Sequence, residues 1–141
     1  MIVIDASVAA KLYRDEADSE VAQGLIDTHA GALLAPDIFA VELAGVIVRD
    51  ANADKGQAAL QRHKLTHLEA LLVGPAITLV RPGPADVIRA AELAMRLGPP
   101  LKDCLYLALA IERACPFVTT DARFARRART VHSEVRGIGE A

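Results

Sequence analysis

The stretch MIVIDASVAA, residues 1–10, decides the fold of this chain. Ile2, Val3 and Ile4 are β-branched and apolar without alternation, a pattern typical of a strand that is buried on both faces. Asp5 interrupts that run where the strand should end. Two interpretations stand at this point: Asp5 caps a following helix, or it lies at the carboxyl end of a central strand, where open α/β sheets place their chemistry.

Short apolar runs alternate with long helical patterns along the rest of the chain. The predicted strands are 2–5, 32–35, 77–80 and 117–119. The predicted helices are 17–30, 37–52, 55–73, 84–98 and 101–114, with one more after Asp121. Because this alternation favours parallel pairing, we expect an α/β fold in three layers, with a parallel central sheet of about four to five strands flanked by helices. The C-terminal HSEVRGIGEA, residues 132–141, is either a last strand or a tail.

Length and composition favour one globular domain over residues 1–141. The chain is 52% hydrophobic and 24% charged, which is ordinary for a folded domain. Aromatic residues make up only 4% and tryptophan is absent, which argues against binding of single strands on stacked aromatic side chains. The net charge of −2 excludes a polycationic nucleic-acid coat but permits a local basic patch.

Several classes of protein and site are disfavoured. No apolar run reaches the roughly 18 residues of a membrane span. The N-terminus lacks the basic start of a signal peptide, so we expect a cytoplasmic protein without membrane association. Cys104 and Cys115 are too far apart along one predicted helix for a disulfide, and we expect both to be buried. His63 and His67 have no HExxH-type partner, so no metal site is predicted there.

Four carboxylates stand out by their positions. Asp5 and Asp121 each follow a buried strand, and Glu42 and Asp103 fall on the apolar faces of their helices. We expect all four to converge in a crevice at the carboxyl edge of the sheet. Clustered carboxylates repel one another unless a cation compensates them, and carboxylate oxygens without His or Cys select Mg²⁺ or Mn²⁺. Such a site polarises a phosphoryl oxygen and activates a water molecule as nucleophile.

Each acid also has a purely structural interpretation, which stays open on the sequence alone. Asp5 and Asp121 suit helix N-caps, and Asp103 suits a first helical turn, where negative charge complements the helix dipole. Glu42 suits an ion pair with Arg49 or a position at the edge of the apolar face.

Neighbouring polar residues extend the candidate site. Three hydroxyl side chains are expected to hold the strand-end acids in place, and these are Ser7, Thr119 and Thr120. The run DARFARRAR, residues 121–129, is either a solvated helix face or a set of ligands for a substrate phosphate. The candidate phosphate ligands in it are Arg123, Arg126 and Arg127.

The segments VIDASVAAKLY, LLAPDIFAVELAGVIV and LKDCLYLALAIERACPFVTTDARFARRAR resemble the PIN-domain ribonucleases, and specifically the VapC-type toxins of prokaryotic toxin–antitoxin pairs. The resemblance runs in order over nearly the whole chain. It implies a PIN fold with an acidic Mg²⁺ or Mn²⁺ centre that cleaves RNA. It further implies a cognate VapB-type antitoxin, whose C-terminal segment covers the active groove, and a homodimer.

Matched residue by residue, the four acids of the family fall on Asp5, Glu42, Asp103 and Asp121. The small hydroxyl residue of the family falls on Ser7 and its threonine on Thr119. The resemblance implies that Asp5 and Asp103 bind the metal directly. It also implies that Glu42 and Asp121 bind it directly or through water, or orient the attacking water.

One position departs from the pattern. Family members often carry an apolar or aromatic residue before the third acid, whereas this chain has Lys102. A cation there lowers the negative charge of the site or contacts the substrate.

The leading hypothesis is therefore a metal-dependent endoribonuclease that acts as the toxin of a toxin–antitoxin pair. One alternative is a non-catalytic PIN-like interaction module whose acids bind metal only for folding. A haloacid-dehalogenase-like phosphatase is a weaker alternative, because its chemistry requires a second acid where Ser7 stands.

Overall fold

The computed structural model describes residues 1–140 and contains a five-stranded parallel sheet. The strands lie in the order β3-β2-β1-β4-β5, and each pairs in parallel with its neighbour. They are β1 (Ile2–Ile4), β2 (Leu33–Pro36), β3 (Ile77–Val80), β4 (Phe117–Thr119) and β5 (Val135–Gly137). The predicted α/β class and the strand number are confirmed.

Seven α-helices accompany the sheet within residues 1–140, and together they form the expected three-layer arrangement. They are α1 (Ala6–Ala10), α2 (Ser19–Thr28), α3 (Ile38–Ala53), α4 (Ala58–Val73), α5 (Pro84–Leu97), α6 (Leu101–Arg113) and α7 (Ala122–Ala128). Short 3₁₀ turns occupy Lys11–Tyr13, Lys55–Gln57 and Ile138–Glu140. No helix of this part of the chain is long and apolar enough to cross a membrane.

The differences from the predicted boundaries are local. The first strand ends one residue early because Asp5 already caps α1, a five-residue helix that is too short to show a helical period. The predicted helix 55–73 begins as a 3₁₀ turn, and the predicted helix 17–30 is shorter at both ends. The last-strand interpretation of 132–141 holds for β5, and Ala141 lies outside the described residues. Both cysteines are free and buried, as expected.

The central strand β1 organises the site. It is buried along its whole length and pairs with β2 on one side and β4 on the other. The strand order therefore reverses at β1, with β2 and β3 towards one edge of the sheet and β4 and β5 towards the other. Such a reversal opens a crevice at the carboxyl ends of the strands. Phe117 on β4 stacks on Tyr106 of α6 at 6.3 Å between ring centroids and meets Phe124 of α7 edge-on at 5.8 Å. This aromatic packing fixes α6 and α7 beside the two central strands.

Candidate active site

A groove of about 460 Å³, the acidic groove, lies at the carboxyl ends of β1 and β4. The structure brings all four predicted acids to its lining, each from a different part of the chain. Asp5 follows β1, Glu42 lies on α3, Asp103 lies in the first turn of α6, and Asp121 follows β4. The groove is the place where chemistry is expected in an open parallel sheet.

Asp5 is the most buried acid of the groove, with 8% of its surface exposed. Its Oδ1 accepts a hydrogen bond from the backbone N–H of Ser7 at 2.8 Å, and its Oδ2 accepts one from the hydroxyl of Thr119 at 2.8 Å. Burial raises the pKa of Asp5, the bonds from Ser7 and Thr119 oppose that rise, and the negative charge of Glu42 adds to it. Asp5 therefore caps α1 and lines the groove with the same carboxylate, so both interpretations of the opening sequence hold.

Thr119 joins the two acids that follow strands. Its side chain is fully buried, and its hydroxyl donates to Asp5 while accepting the backbone N–H of Asp121 at 3.1 Å. The Oδ1 of Asp121 in turn accepts the backbone N–H of Phe124 at 3.0 Å and caps α7. One hydroxyl thus fixes the ends of β1 and β4 against each other.

A second hydrogen bond ties the same two strand ends. The side-chain oxygen of Ser7 accepts the backbone N–H of Thr120 at 3.2 Å. Of the three hydroxyl residues expected to support the acids, Ser7 and Thr119 act through their side-chain oxygens, and Thr120 contributes its backbone N–H.

Glu42 reaches the groove from α3 and is held by two groups of α6. The hydroxyl of Tyr106 donates to its Oε1 at 2.7 Å, and the Nζ of Lys102 lies 3.5 Å from its Oε2. Burial and the bond to Glu42 raise the pKa of Tyr106, so the phenol remains a donor. Arg49, the partner considered from the sequence, lines the groove without forming an ion pair with Glu42 in the described part of the chain.

Tyr106 is a buried residue that holds Glu42 and that the sequence did not single out. It lies three residues after Asp103, and this spacing places both side chains on the same side of α6. That spacing is the signal that could have identified it.

The pKa of Asp103 is raised by burial and by the other acids of the groove. Burial, followed by the charge of Asp5, raises its pKa to about 6, while Lys102 lowers it and Glu42 and Asp121 raise it further. All three other acids therefore act on this one carboxyl group. The groove concentrates more negative charge than its own cations compensate.

The donor set of the groove suits a hard divalent cation. Carboxylate oxygens are the ligands that Mg²⁺ and Mn²⁺ prefer. Burial raises the pKa of both Asp5 and Asp103, and the charge of neighbouring carboxylates adds to each rise. Within residues 1–140, however, no three acidic, His or Cys side chains already surround one point at ligand distance. The residues that would hold the ion are Asp5, Asp103 and Asp121, which all line the groove.

Four cations line the groove, and two of them had already been considered from the sequence. They are Lys11, Arg14, Arg49 and Lys102. Lys11 and Arg14 are held in ion pairs by acids at the rim, so much of their charge is compensated locally. Lys11 and Arg14 were not predicted from the sequence, because only the packing of the 3₁₀ turn after α1 brings them to the groove.

The three predicted arginines after β4 separate into two groups. Arg123 and Arg127, four residues apart on one face of α7, line a second groove of about 300 Å³ together with Gly98–Pro100. This second groove shares the third and fourth acids with the first, so the two grooves meet there. Arg126 is exposed and lines neither groove.

Comparison with known proteins identifies the family. The model of the PIN domain family matches residues 2–130. Similar solved structures include a toxin–antitoxin complex from Klebsiella pneumoniae (13% identity, TM-score 0.67, all of both chains) and FitAcB from Neisseria gonorrhoeae (19% identity, TM-score 0.70, all of both chains). VapC20 from Mycobacterium tuberculosis, described as a sarcin–ricin loop cleaving toxin, is 16% identical with a TM-score of 0.73 over 96% of this chain and 99% of that one.

A search of curated proteins returned no match. The identities to the solved structures are low, so these structures establish a shared fold. The family model spans all four acids of the groove and every strand except β5. This chain is therefore a member of the PIN domain family.

Proposed function

We propose that this protein is a metal-dependent endoribonuclease that acts as the toxin of a toxin–antitoxin pair. The observation that carries the proposal is the convergence of Asp5, Glu42, Asp103 and Asp121 in one groove of a PIN domain. The likeness in fold to a VapC toxin and to a chain of a toxin–antitoxin complex supports the toxin assignment. Because RNA is the proposed substrate, we place the activity in the cytoplasm.

The proposed reaction is hydrolysis of an RNA phosphodiester bond by water. A bound Mg²⁺ or Mn²⁺ supplies Lewis-acid polarisation of the phosphoryl oxygen and lowers the pKa of the attacking water. Asp5 and Asp103 are the proposed direct ligands, with Asp121 beside them, and Thr119 positions two of these three acids. Glu42, held by α6, orients the attacking water.

Cleavage of total RNA by the purified, antitoxin-free protein tests the proposal. We expect discrete fragments in Mg²⁺ or Mn²⁺ and intact RNA when EDTA is present. Intact RNA under every metal, from a folded protein that binds the metal, would contradict the nuclease. That result would favour the non-catalytic module whose acids bind a cation only for folding.

The substrate backbone is expected to lie over Arg123 and Arg127, because their groove meets the acidic groove at Asp103 and Asp121. The double variant Arg123→Gln/Arg127→Gln should raise KM for RNA about tenfold or more with little change in kcat, since phosphate contacts position the substrate. The salt dependence of KM should also become shallower, by about 0.7 in the log–log slope for each lost contact to a single strand.

The matched control is Arg126→Gln, which removes an arginine of the same helix that lines neither groove. We expect its KM and salt dependence to equal those of the wild type. Equal effects of all three arginines would show that α7 attracts RNA only through its overall charge.

We further propose a VapB-type antitoxin and a homodimer, each on its own apolar surface. On α3, Val41 is 72% and Val48 50% exposed, one above the other on the same face, and Val41 borders the acidic groove. This is where we expect the antitoxin segment that covers the groove.

On α5, Ile88 and Met95 are 61% and 80% exposed at the same spacing, and we assign them to the dimer. Sedimentation should give a dimer for the wild type and a monomer for Ile88→Glu/Met95→Glu.

A further inference from the structure

Lys102 occupies a position that its own helix does not favour. It lies in the first turn of α6, where a positive charge opposes the helix dipole. Its side chain is 55% exposed, and its ammonium lies 3.5 Å from the Oε2 of Glu42, across the groove on α3. The partner that accounts for this lysine is therefore an acid of the site.

Glu42 differs from the other three acids in how its charge is compensated. Both of its oxygens are engaged, one by the hydroxyl of Tyr106 and the other by the ammonium of Lys102. Within residues 1–140, Asp5, Asp103 and Asp121 form no ion pair. In this part of the chain, Glu42 is thus the acid of the four whose charge an ion pair compensates.

We propose that Lys102 takes the place of a second divalent cation, so that the active site binds a single metal ion, held by the acids without an ion pair, Asp5, Asp103 and Asp121. The inference rests on the proposed function, because it concerns the same metal-dependent site. Two-ion sites hold their ions about 3.5–4 Å apart and share carboxylates between them. A second ion that used Glu42 would lie against the ammonium and be repelled by it.

The ammonium can also contact and neutralise a phosphate of RNA, as a second metal ion would. It has three donor hydrogens, so it can contact Glu42 and still donate to a phosphate oxygen in the groove. A lysine is a compact point charge on a flexible stem, and more than half of this side chain is exposed to the groove and solvent. The single metal ion and Lys102 would then both neutralise the charge of the substrate phosphate.

Titration with Mn²⁺ in the absence of RNA tests the inference, with free Mn²⁺ followed by electron paramagnetic resonance and heat by calorimetry. We expect one ion per chain for the wild type and two for Lys102→Met, the second bound at least tenfold more tightly than any second ion of the wild type. Lys102→Arg keeps the charge and should return to one ion. Arg49→Met removes another cation of the groove, one that does not pair with Glu42, and should also bind one ion.

Each outcome decides between the alternatives. Two ions in the wild type, or only one in Lys102→Met, would overturn the inference and leave the proposed nuclease intact. No bound Mn²⁺ in any of the four proteins would contradict the metal-dependent function itself, and the inference with it. Thermal melting of Lys102→Met should match the wild type, because the replaced ammonium is largely exposed.

Discussion

Asp103→Asn is expected to reduce RNA cleavage by at least about 1000-fold and, in the same protein, to increase stability in the absence of metal. The loss of activity follows from the proposed role of Asp103 as a direct ligand, since such an ion contributes several kcal/mol to the transition state and about 1000-fold corresponds to ~4 kcal/mol. The gain in stability follows from its surroundings, because burial and the charge of Asp5 disfavour the ionised carboxylate.

The gain should depend on pH in a defined direction. The pKa of Asp103 is about 6 in the folded protein, against an ordinary value of 3.8. The folded state therefore binds a proton more tightly than the unfolded state, and ionised Asp103 destabilises the fold above pH 6. That penalty shrinks as the pH falls towards 4, where the group is protonated in the folded state. Since asparagine does not ionise, Asp103→Asn should gain about 1 to 3 kcal/mol at pH 8 and almost nothing near pH 4.

Urea unfolding in EDTA at pH 8, 6 and 4.5, together with an RNA cleavage assay, measures both effects. Asp15→Asn removes an exposed acid outside the acidic groove and should change neither activity nor stability. An unfolded Asp103→Asn protein would favour the module in which metal serves only folding. A folded variant that still cleaves RNA would remove Asp103 from the proposed site.

The part of the site that the sequence predicts best is the part built on strand ends. Buried strands such as Ile2–Ile4 appear as continuous apolar runs, and the residue that ends such a run lies at the edge of the sheet. The sequence analysis treated helix capping and site formation as alternatives for Asp5 and Asp121. The structure shows that each carboxylate caps a helix and lines the groove, because the helix begins where the strand ends.

The parts that the sequence did not predict depend on how distant elements pack. Tyr106 falls within the apolar pattern of α6, and only the placement of α3 gives its hydroxyl a carboxylate to bind. Likewise, Arg14 reaches the groove through packing, where Asp50 of α3 holds it with two hydrogen bonds. The division of the arginines on α7 is different, since helical spacing alone separates Arg126 from the pair at 123 and 127.

Thr119→Val is expected to destabilise the protein by about 2 to 3 kcal/mol and to reduce RNA cleavage at least 100-fold, or ~3 kcal/mol in the transition state. Valine keeps the shape of threonine but lacks the hydroxyl. The change leaves the Oδ2 of Asp5 and the backbone N–H of Asp121 without their partner in a buried place. The pKa of Asp5 should rise further, since the bond from Thr119 is one of the groups that oppose the effect of burial.

Thr119→Ser is the matched variant, because it keeps the hydroxyl and removes only a buried methyl group. We expect it to lose about 1 kcal/mol of stability through the small cavity and to retain cleavage within a few-fold. The comparison separates two causes: if the hydroxyl positions the acids, kcat follows the oxygen and survives in Thr119→Ser but not in Thr119→Val. If valine preserved kcat and serine lost it, the packing of β4 rather than the bridge from Asp5 to Asp121 would hold the site. Measuring kcat at saturating RNA and Mn²⁺, alongside urea unfolding, distinguishes these outcomes because a purely structural effect would change stability in both variants while leaving kcat of the folded protein unchanged.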